Sequence, residues 1–182
     1  MHGIIFLQLY HYYNKKCKEK EINLSWIRLL QKAQIKHYTY SPNKAYPDEE
    51  IVQLLLILSQ EFKMTLPEIL EDFGENIVEY LLVSYDFLLK PEWKALDIIQ
   101  NVAQIHSNLK NFTTTVDPPS IQTKKVDPNS VEIYYNSPRK LCFLLKGLVR
   151  GLGKYFQENL KIQESICMHK GSDHCLILVS KM

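Results

Sequence analysis

The sequence predicts an α+β fold, with a helical N-terminal subdomain and a C-terminal subdomain holding an antiparallel sheet and one long helix. Three observations predict it. Apolar residues recur at helical spacing through roughly the first 110 positions. The run Val131-Glu132-Ile133-Tyr134-Tyr135 alternates as a strand, and residues 161–168 and 175–180 flank a Lys170-Gly171-Ser172-Asp173 turn as a hairpin does. Between these strands, residues 139–156 return to helical spacing. At 182 residues the chain reads as a single domain of two packed parts, approximately 1–64 and 65–182.

In chain order, residues 1–16 are apolar and aromatic and fit a helix that ends in the charged stretch 15–21. Asn23 is a candidate N-cap for a helix over 24–33. Two prolines and many polar residues make 38–47 a loop. Asp48, Glu49 and Glu50 then open a helix to about Phe62, because negative charge suits a helix N-terminus. Thr65 caps the next helix and Pro67 fits its first turn. Ile69, Leu70 and Phe73 form its apolar face; Gly74 interrupts it, and helical spacing resumes over 76–83.

Pro91 begins a further segment in which Trp93, Leu96, Ile98, Ile99, Val102, Ile105 and Leu109 recur near the helical period, with His106 on or beside the stripe. Thr113-Thr114-Thr115-Val116 favours strand and is stopped by Asp117-Pro118-Pro119. Gly147, Gly151 and Gly153 cost stability inside the helix 139–156, so the close approach of a neighbour is expected there.

Composition sets bounds on function. Hydrophobic residues make up 46% and charged residues 23%, which is the balance of a soluble globular protein. A net charge of +2 gives no electrostatic case for nucleic acid or an anionic membrane surface. The opening run Met1 to Leu7 is too short for a secretory leader, and the apolar run 51–58 is too short to span a bilayer, so a cytoplasmic protein is expected. Cys17, Cys142, Cys167 and Cys175 therefore read as thiols or metal ligands, with Cys17 an exposed thiol among lysines.

Two features carry candidate chemistry. A histidine on an apolar helix face, as His106 is, can be an axial heme ligand through a neutral imidazole nitrogen; alone it reads more simply as a core histidine bonded to a carbonyl. In Tyr135-Asn136-Ser137-Pro138-Arg139, alternation along a strand puts a phenol, a hydroxyl and a guanidinium on one face. Such a fork suits two carboxylates, as in the propionates of heme, although an exposed polar strand edge has the same composition.

Taken together these motifs resemble the heme–nitric oxide/oxygen-binding (H-NOX) family, the heme sensor domains of bacteria and of soluble guanylate cyclase. The resemblance spans Met1-x-Gly3-x-Ile5, the segment 67–74, the helix ending at His106, Pro118-Pro119, Tyr135-x-Ser137-x-Arg139 and the segment 147–154. It implies heme b between the two subdomains, His106 as the iron ligand, and Tyr135, Ser137 and Arg139 on the propionates. It further implies Pro119 and Ile5 pressed against the porphyrin. Ala103 departs from the family's frequent Asp three residues before the histidine, and the charge of 15–21 is unusual.

Oxygen-holding members carry a distal tyrosine where Leu144 stands, and Leu9 replaces another polar or aromatic candidate. The resemblance therefore implies a sensor of nitric oxide, also binding carbon monoxide, with Asn76 a weak distal donor. It implies signalling by strain release: the bond to His106 weakens, the porphyrin relaxes against Pro119 and Ile5, and the subdomains rotate. The output would be a separate protein, such as a histidine kinase or a cyclic-di-nucleotide enzyme.

Three thiols late in the chain, Cys142, Cys167 and Cys175, suit structural zinc. Some members of the family have three cysteines and one histidine at such a site; here Glu164 stands at the histidine position, leaving His169, His174 or Glu164 as the fourth ligand. The alternative to a heme sensor is a heme-free thiol or zinc redox module built on those three cysteines. No nucleophile elbow, phosphate-binding glycine loop or paired-carboxylate motif stands out, so no catalytic turnover is expected.

Overall fold

The computed structural model describes residues 1–112 and 117–182. The β-favouring run 113–116 lies outside the described residues. Four helices come first: α1 (Gly3–Glu19), α2 (Trp26–Lys32), α3 (Asp48–Phe62) and α4 (Leu66–Ser84). Then follow α5 (Ala95–Gln100), α6 (Val102–Phe112), strands β1 (Ser120–Asp127) and β2 (Ser130–Asn136), α7 (Cys142–Phe156), β3 (Leu160–Ile166) and β4 (Cys175–Lys181). The α+β class expected from the sequence is the class observed. All pairings in the four-stranded sheet are antiparallel, in the order β1-β2-β4-β3.

Local chemistry accounts for most boundaries. Thr65 and Glu68 form a reciprocal capping box: Glu68 N donates to Thr65 Oγ1 at 3.4 Å, and Thr65 N donates to Glu68 Oε2 at 2.7 Å. α2 is capped by Ser25, whose hydroxyl accepts from Arg28 N at 3.3 Å; Asn23 lies too far upstream to reach an orphan amide. α4 runs unbroken through Gly74. The segment after Pro91 becomes helical only at Ala95 and breaks at Asn101, which ends α5 and turns its side chain back to Asp97 O at 2.8 Å.

Two expectations about the Tyr-Ser-Arg motif also need correction. β2 ends at Asn136, and α7 begins at Cys142 rather than at Arg139. Ser137 and Arg139 thus stand on a tight turn closed by Lys140 N to Ser137 O at 3.0 Å, with Lys140 in the left-handed region at φ 48°. β1 was not anticipated. Only Ile121 in it is buried, and its lysines face outward, as suits an edge strand that must resist further pairing.

The core forms two clusters. One packs α1 to α4 around Phe6, Leu9, Leu54, Leu58, Ile69 and Phe73. The other packs α5, α7 and the sheet around Ile133, Tyr135, Val149 and Ile177. Phe143 and Leu148 of α7 pack against both. Cys17 is half-buried against the first cluster rather than exposed, and burial raises its thiol pKa.

The crossing of α4 and α7 explains two of the glycines. A Cβ on Gly147 would lie 2.1 Å from Glu71 O, and one on Gly74 would lie 2.5 Å from Leu144 O. The helix backbones touch there, so neither position admits a side chain. Arg150 pairs with Glu71, and Lys154 with Glu75, across the same crossing. No helix among the described residues is long and apolar enough to cross a membrane.

Candidate functional site

A cavity of about 310 Å³ opens between α1, α4, α6, α7 and the sheet. That is within the roughly 300–1,000 Å³ typical of cofactor and ligand pockets. Its walls are mainly apolar, with Val78, Leu81 and Leu82 from α4, Ile105 and Leu109 from α6, and Leu144 and Leu148 from α7. His106, Tyr135, Ser137, Arg139, Pro119, Ile5 and Leu144 all line it. The fold therefore brings these seven residues together from α1, α6, α7, the sheet and two turns.

α6 carries His106 into the cavity wall because its apolar stripe, Val102, Ile105 and Leu109, faces the same way. Burial, with the Lys110 charge nearby, pushes the His106 pKa down to about 4. The ring is neutral at pH 7 and its lone pair is free for a metal. Nδ1 is buried and has no hydrogen-bond partner among the described residues.

Tyr135 is fixed by pairing on both sides, to Ile121 in β1 and Cys175 in β4. Its hydroxyl accepts from Leu141 N at 3.0 Å and keeps its own proton to donate, since burial raises the phenol pKa. Ser137 is buried, and its Oγ accepts from Arg139 N at 3.3 Å. Arg139 donates from Nε to Asp48 Oδ2 at 2.6 Å and from Nη1 to Asp117 O at 2.8 Å, and its Nη2 lies 3.3 Å from Asp117 Oδ2.

Asp48 and the chain's first residue were not anticipated as part of this site. The Met1 amino group lies 2.5 Å from Asp48 Oδ1 and also donates to Tyr46 O at 2.7 Å. Burial alone would raise the Asp48 pKa, but hydrogen bonds and charge from Met1 and Arg139 hold it below 3.8. A carboxyl whose folded pKa is depressed adds stability above its unfolded pKa, and that stability disappears as pH falls through the folded value. Asp48→Asn is therefore expected to lower the melting temperature at pH 6. The gap to the wild type should close as pH falls below about 4. Thermal unfolding of both proteins between pH 3 and 6 checks this; a gap independent of pH would contradict it.

The expected distal residues divide. Leu144 lines the cavity, but Leu9 is buried in the first core cluster and does not. Asn76 is turned away: its amide donates to Asp72 O at 2.8 Å and its oxygen accepts from Lys15 Nζ at 2.6 Å. Two polar residues that the sequence reading passed over, His2 and Tyr85, do line the cavity. His2 stands three residues before Ile5, so helical spacing beside an expected contact residue was the available signal.

A second cluster lies behind α7. Ligand atoms of Cys142, Glu164, Cys167 and Cys175 all fall within 4.8 Å of one another. The Cys142 and Cys167 sulfurs are 3.9 Å apart. Burial and the neighbouring thiols raise the Cys142 pKa, so without a metal this thiol stays protonated. Glu164 Oε1 is buried without a partner among the described residues, and Lys146 Nζ lies 3.5 Å from Glu164 Oε2. His169 and His174 lie outside the cluster: His169 Nε2 bonds Lys140 O at 2.8 Å, and His174 stacks on Tyr134 beside Asp173.

A neutral, unpaired imidazole in an apolar wall, together with hydroxyl and guanidinium groups, is an arrangement suited to an iron porphyrin with carboxylate side chains. The residues present fit that group: the buried His106 nitrogen lacks a partner, the walls are apolar, and carboxylate-binding groups sit together. The chain belongs to the Haem-NO-binding family, whose model matches residues 2–164, and so to the H-NOX heme-based gas sensors.

Solved structures agree in fold. An H-NOX protein from S. oneidensis in the Fe(II)NO state is 24% identical, with 100% of this chain and 99% of that chain covered and a TM-score of 0.90. The NMR structure of an H-NOX domain from Shewanella oneidensis in the Fe(II)CO state, also 24% identical, covers the same shares at a TM-score of 0.87. An unliganded Fe(II) H-NOX protein from K. algicida, 18% identical, covers 100% of this chain and 97% of that chain at 0.85. No curated protein matches the sequence significantly.

Proposed function

We propose that this chain senses nitric oxide with ferrous heme b held by His106, and signals to a separate protein without catalytic turnover. The observation that carries this reading is the placement of His106, Tyr135, Ser137, Arg139, Pro119, Ile5 and Leu144 around one apolar cavity. Heme would supply an iron that binds diatomic gases. His106 would hold that iron through its neutral imidazole. Tyr135 and Ser137 would donate their hydroxyls to propionates, and Arg139 would add positive charge. Pro119 and Ile5 set the shape of the wall.

Leu144 offers no donor, so a gas that depends on a hydrogen bond at this position gains nothing from it. Nitric oxide and carbon monoxide do not depend on one. Arg139 is tied through Asp48 to the start of α1 and the first turn of α3. A shift at the carboxylate-binding turn therefore reaches the N-terminal helices, where two arrangements of that link could present different surfaces to a partner. A histidine kinase or a cyclic-di-nucleotide enzyme suits this role, and NO resting in the cavity biases which arrangement it meets. The reduced protein, exposed separately to NO, CO and air, is expected to change its absorption spectrum with NO and CO. No reversible oxygen spectrum is expected in air. Such a spectrum in air would overturn the choice of gas and leave the heme.

The cysteine cluster supports a second element of the reading, a structural zinc held by Cys142, Cys167, Cys175 and Glu164. Tetrahedral zinc with Zn–S bonds near 2.3 Å sets sulfurs about 3.8 Å apart, close to the 3.9 Å between Cys142 and Cys167. Glu164 brings an unpaired oxygen where some family members carry a histidine, and Lys146 offsets part of the added negative charge. Metal analysis is expected to find one zinc per chain, lost in Cys175→Ala while heme stays. Zinc-free wild-type protein with three free thiols would contradict it. A module acting through these thiols alone is not favoured, because the same chain keeps a full set of heme-facing residues.

A further inference from the structure

The cavity has a second imidazole that nothing above uses. His2 is the residue before α1, and its side chain makes no capping hydrogen bond to the helix. It lines the same cavity as His106 and Arg139. Both of its ring nitrogens are buried and have no partner among the described residues. A neutral imidazole carries one donor and one acceptor, and leaving both buried and unpaired costs stability. Such a group is retained where something else completes it.

Its backbone is held at a fixed place. Met1 bonds Asp48, Gly3 N donates to Lys44 O at 2.8 Å, and His2 bridges Ala45. The same Asp48 binds Arg139. One carboxylate thus fastens the start of α1 to the turn that carries Ser137 and Arg139. Meanwhile Arg139 directs Nε, Nη1 and Nη2 to Asp48 and Asp117. Its charge is shared by two protein carboxylates before any ligand arrives, so a carboxylate on a ligand needs further donors at that edge.

We infer that His2 is a carboxylate-binding residue of this cavity, donating an imidazole N–H to a propionate of the porphyrin beside Tyr135, Ser137 and Arg139. The inference rests on the heme reading. It gives the orphaned ring nitrogen an anionic acceptor, and it completes a set of neutral donors around one cation. The iron is the competing partner for His2, and the test separates the two.

The probes are hemin and its dimethyl ester, in which both propionates lose their charge. They are titrated into heme-free wild-type protein, His2→Leu and His2→Gln. Loss of one hydrogen bond to a charged group predicts that His2→Leu binds hemin about 10-fold more weakly or worse. Affinity for the ester should change little. His2→Gln, which keeps an N–H donor, should recover most of the hemin affinity. The spectrum of the bound iron should be the same in all three proteins. The heme-free melting temperature of His2→Leu should not fall, since an unpaired polar ring is removed.

Equal losses for hemin and its ester in His2→Leu would overturn the inference. A changed axial-ligand spectrum would also overturn it, by placing His2 on the iron. Both results leave the heme reading intact. Failure of the wild type to bind hemin or its ester would overturn the inference together with that reading.

Discussion

His106→Ala is expected to purify folded but without heme. The substitution removes the one neutral imidazole that α6 delivers to the cavity wall, and with it the proposed bond to the iron. Losing an outer-shell partner of a metal ligand typically costs roughly 10–100-fold in affinity, and losing the ligand itself should cost more. The fold should tolerate the change. The buried Nδ1 of His106 has no partner among the described residues, so its removal breaks no hydrogen bond there. Absorption at the Soret band per chain, with circular dichroism as the check on folding, measures both effects. Free imidazole added to the variant should restore part of the heme, because a small ligand can occupy the space left by the ring. Full heme in the alanine variant, with the wild-type spectrum, would remove His106 from the iron.

Gly147→Ala should destabilise the fold by more than any single surface change. Replacing glycine by alanine inside a helix ordinarily gains about 1 kcal/mol. Here the added Cβ would meet Glu71 O at 2.1 Å and Glu71 C at 2.8 Å, both backbone atoms that cannot swing aside. α4 and α7 must separate to admit it, and overpacking of this kind costs about 1–3 kcal/mol, occasionally more. At roughly 2–4 °C per kcal/mol for a chain of this size, the melting temperature should fall by on the order of 2–12 °C. Heme retention should weaken as well, since α7 also carries Leu144 and Leu148 of the cavity wall. Gly74→Ala meets the same crossing from the other side, so the two changes should not add. An unchanged melting temperature in Gly147→Ala would mean that the crossing is looser than the structure has it.

Much of this was legible in the chain. Thr65 with Glu68, and the acidic opening of α3, located helix starts because capping and dipole effects act within one turn. The glycines of α7 forecast a close neighbour, though not that Glu71 would be it. His106, Tyr135, Ser137 and Arg139 were legible as cavity residues because each carries its own chemistry in a short motif, whereas Ile5, Pro119 and Leu144 were legible only through the family resemblance. What the sequence hid depends on distance. Asp48 and Met1 meet Arg139 only after α1, α3 and the turn before α7 have packed, and no local pattern announces an ion pair across 91 residues. β1 was missed because an edge strand with one buried residue lacks the alternation of a half-buried one. Asn23 reads as the cap because asparagine caps well, but α2 starts two residues later than its apolar pattern suggests, which makes Ser25 the cap. His2 escaped notice because an unpaired nitrogen is a property of the folded interior. Glu164 stood among three options for the fourth zinc ligand, and only the packing of β3 against α7 brings it, rather than His169 or His174, to the thiols.

On the proposed function, this cavity holds one heme through His106. The most direct measurement is the heme content and absorption spectrum of the wild-type protein, reduced without air after supplementation with hemin. The account predicts one heme per chain and a Soret band that responds to NO. A protein that takes up no heme under these conditions, while remaining folded, would contradict it.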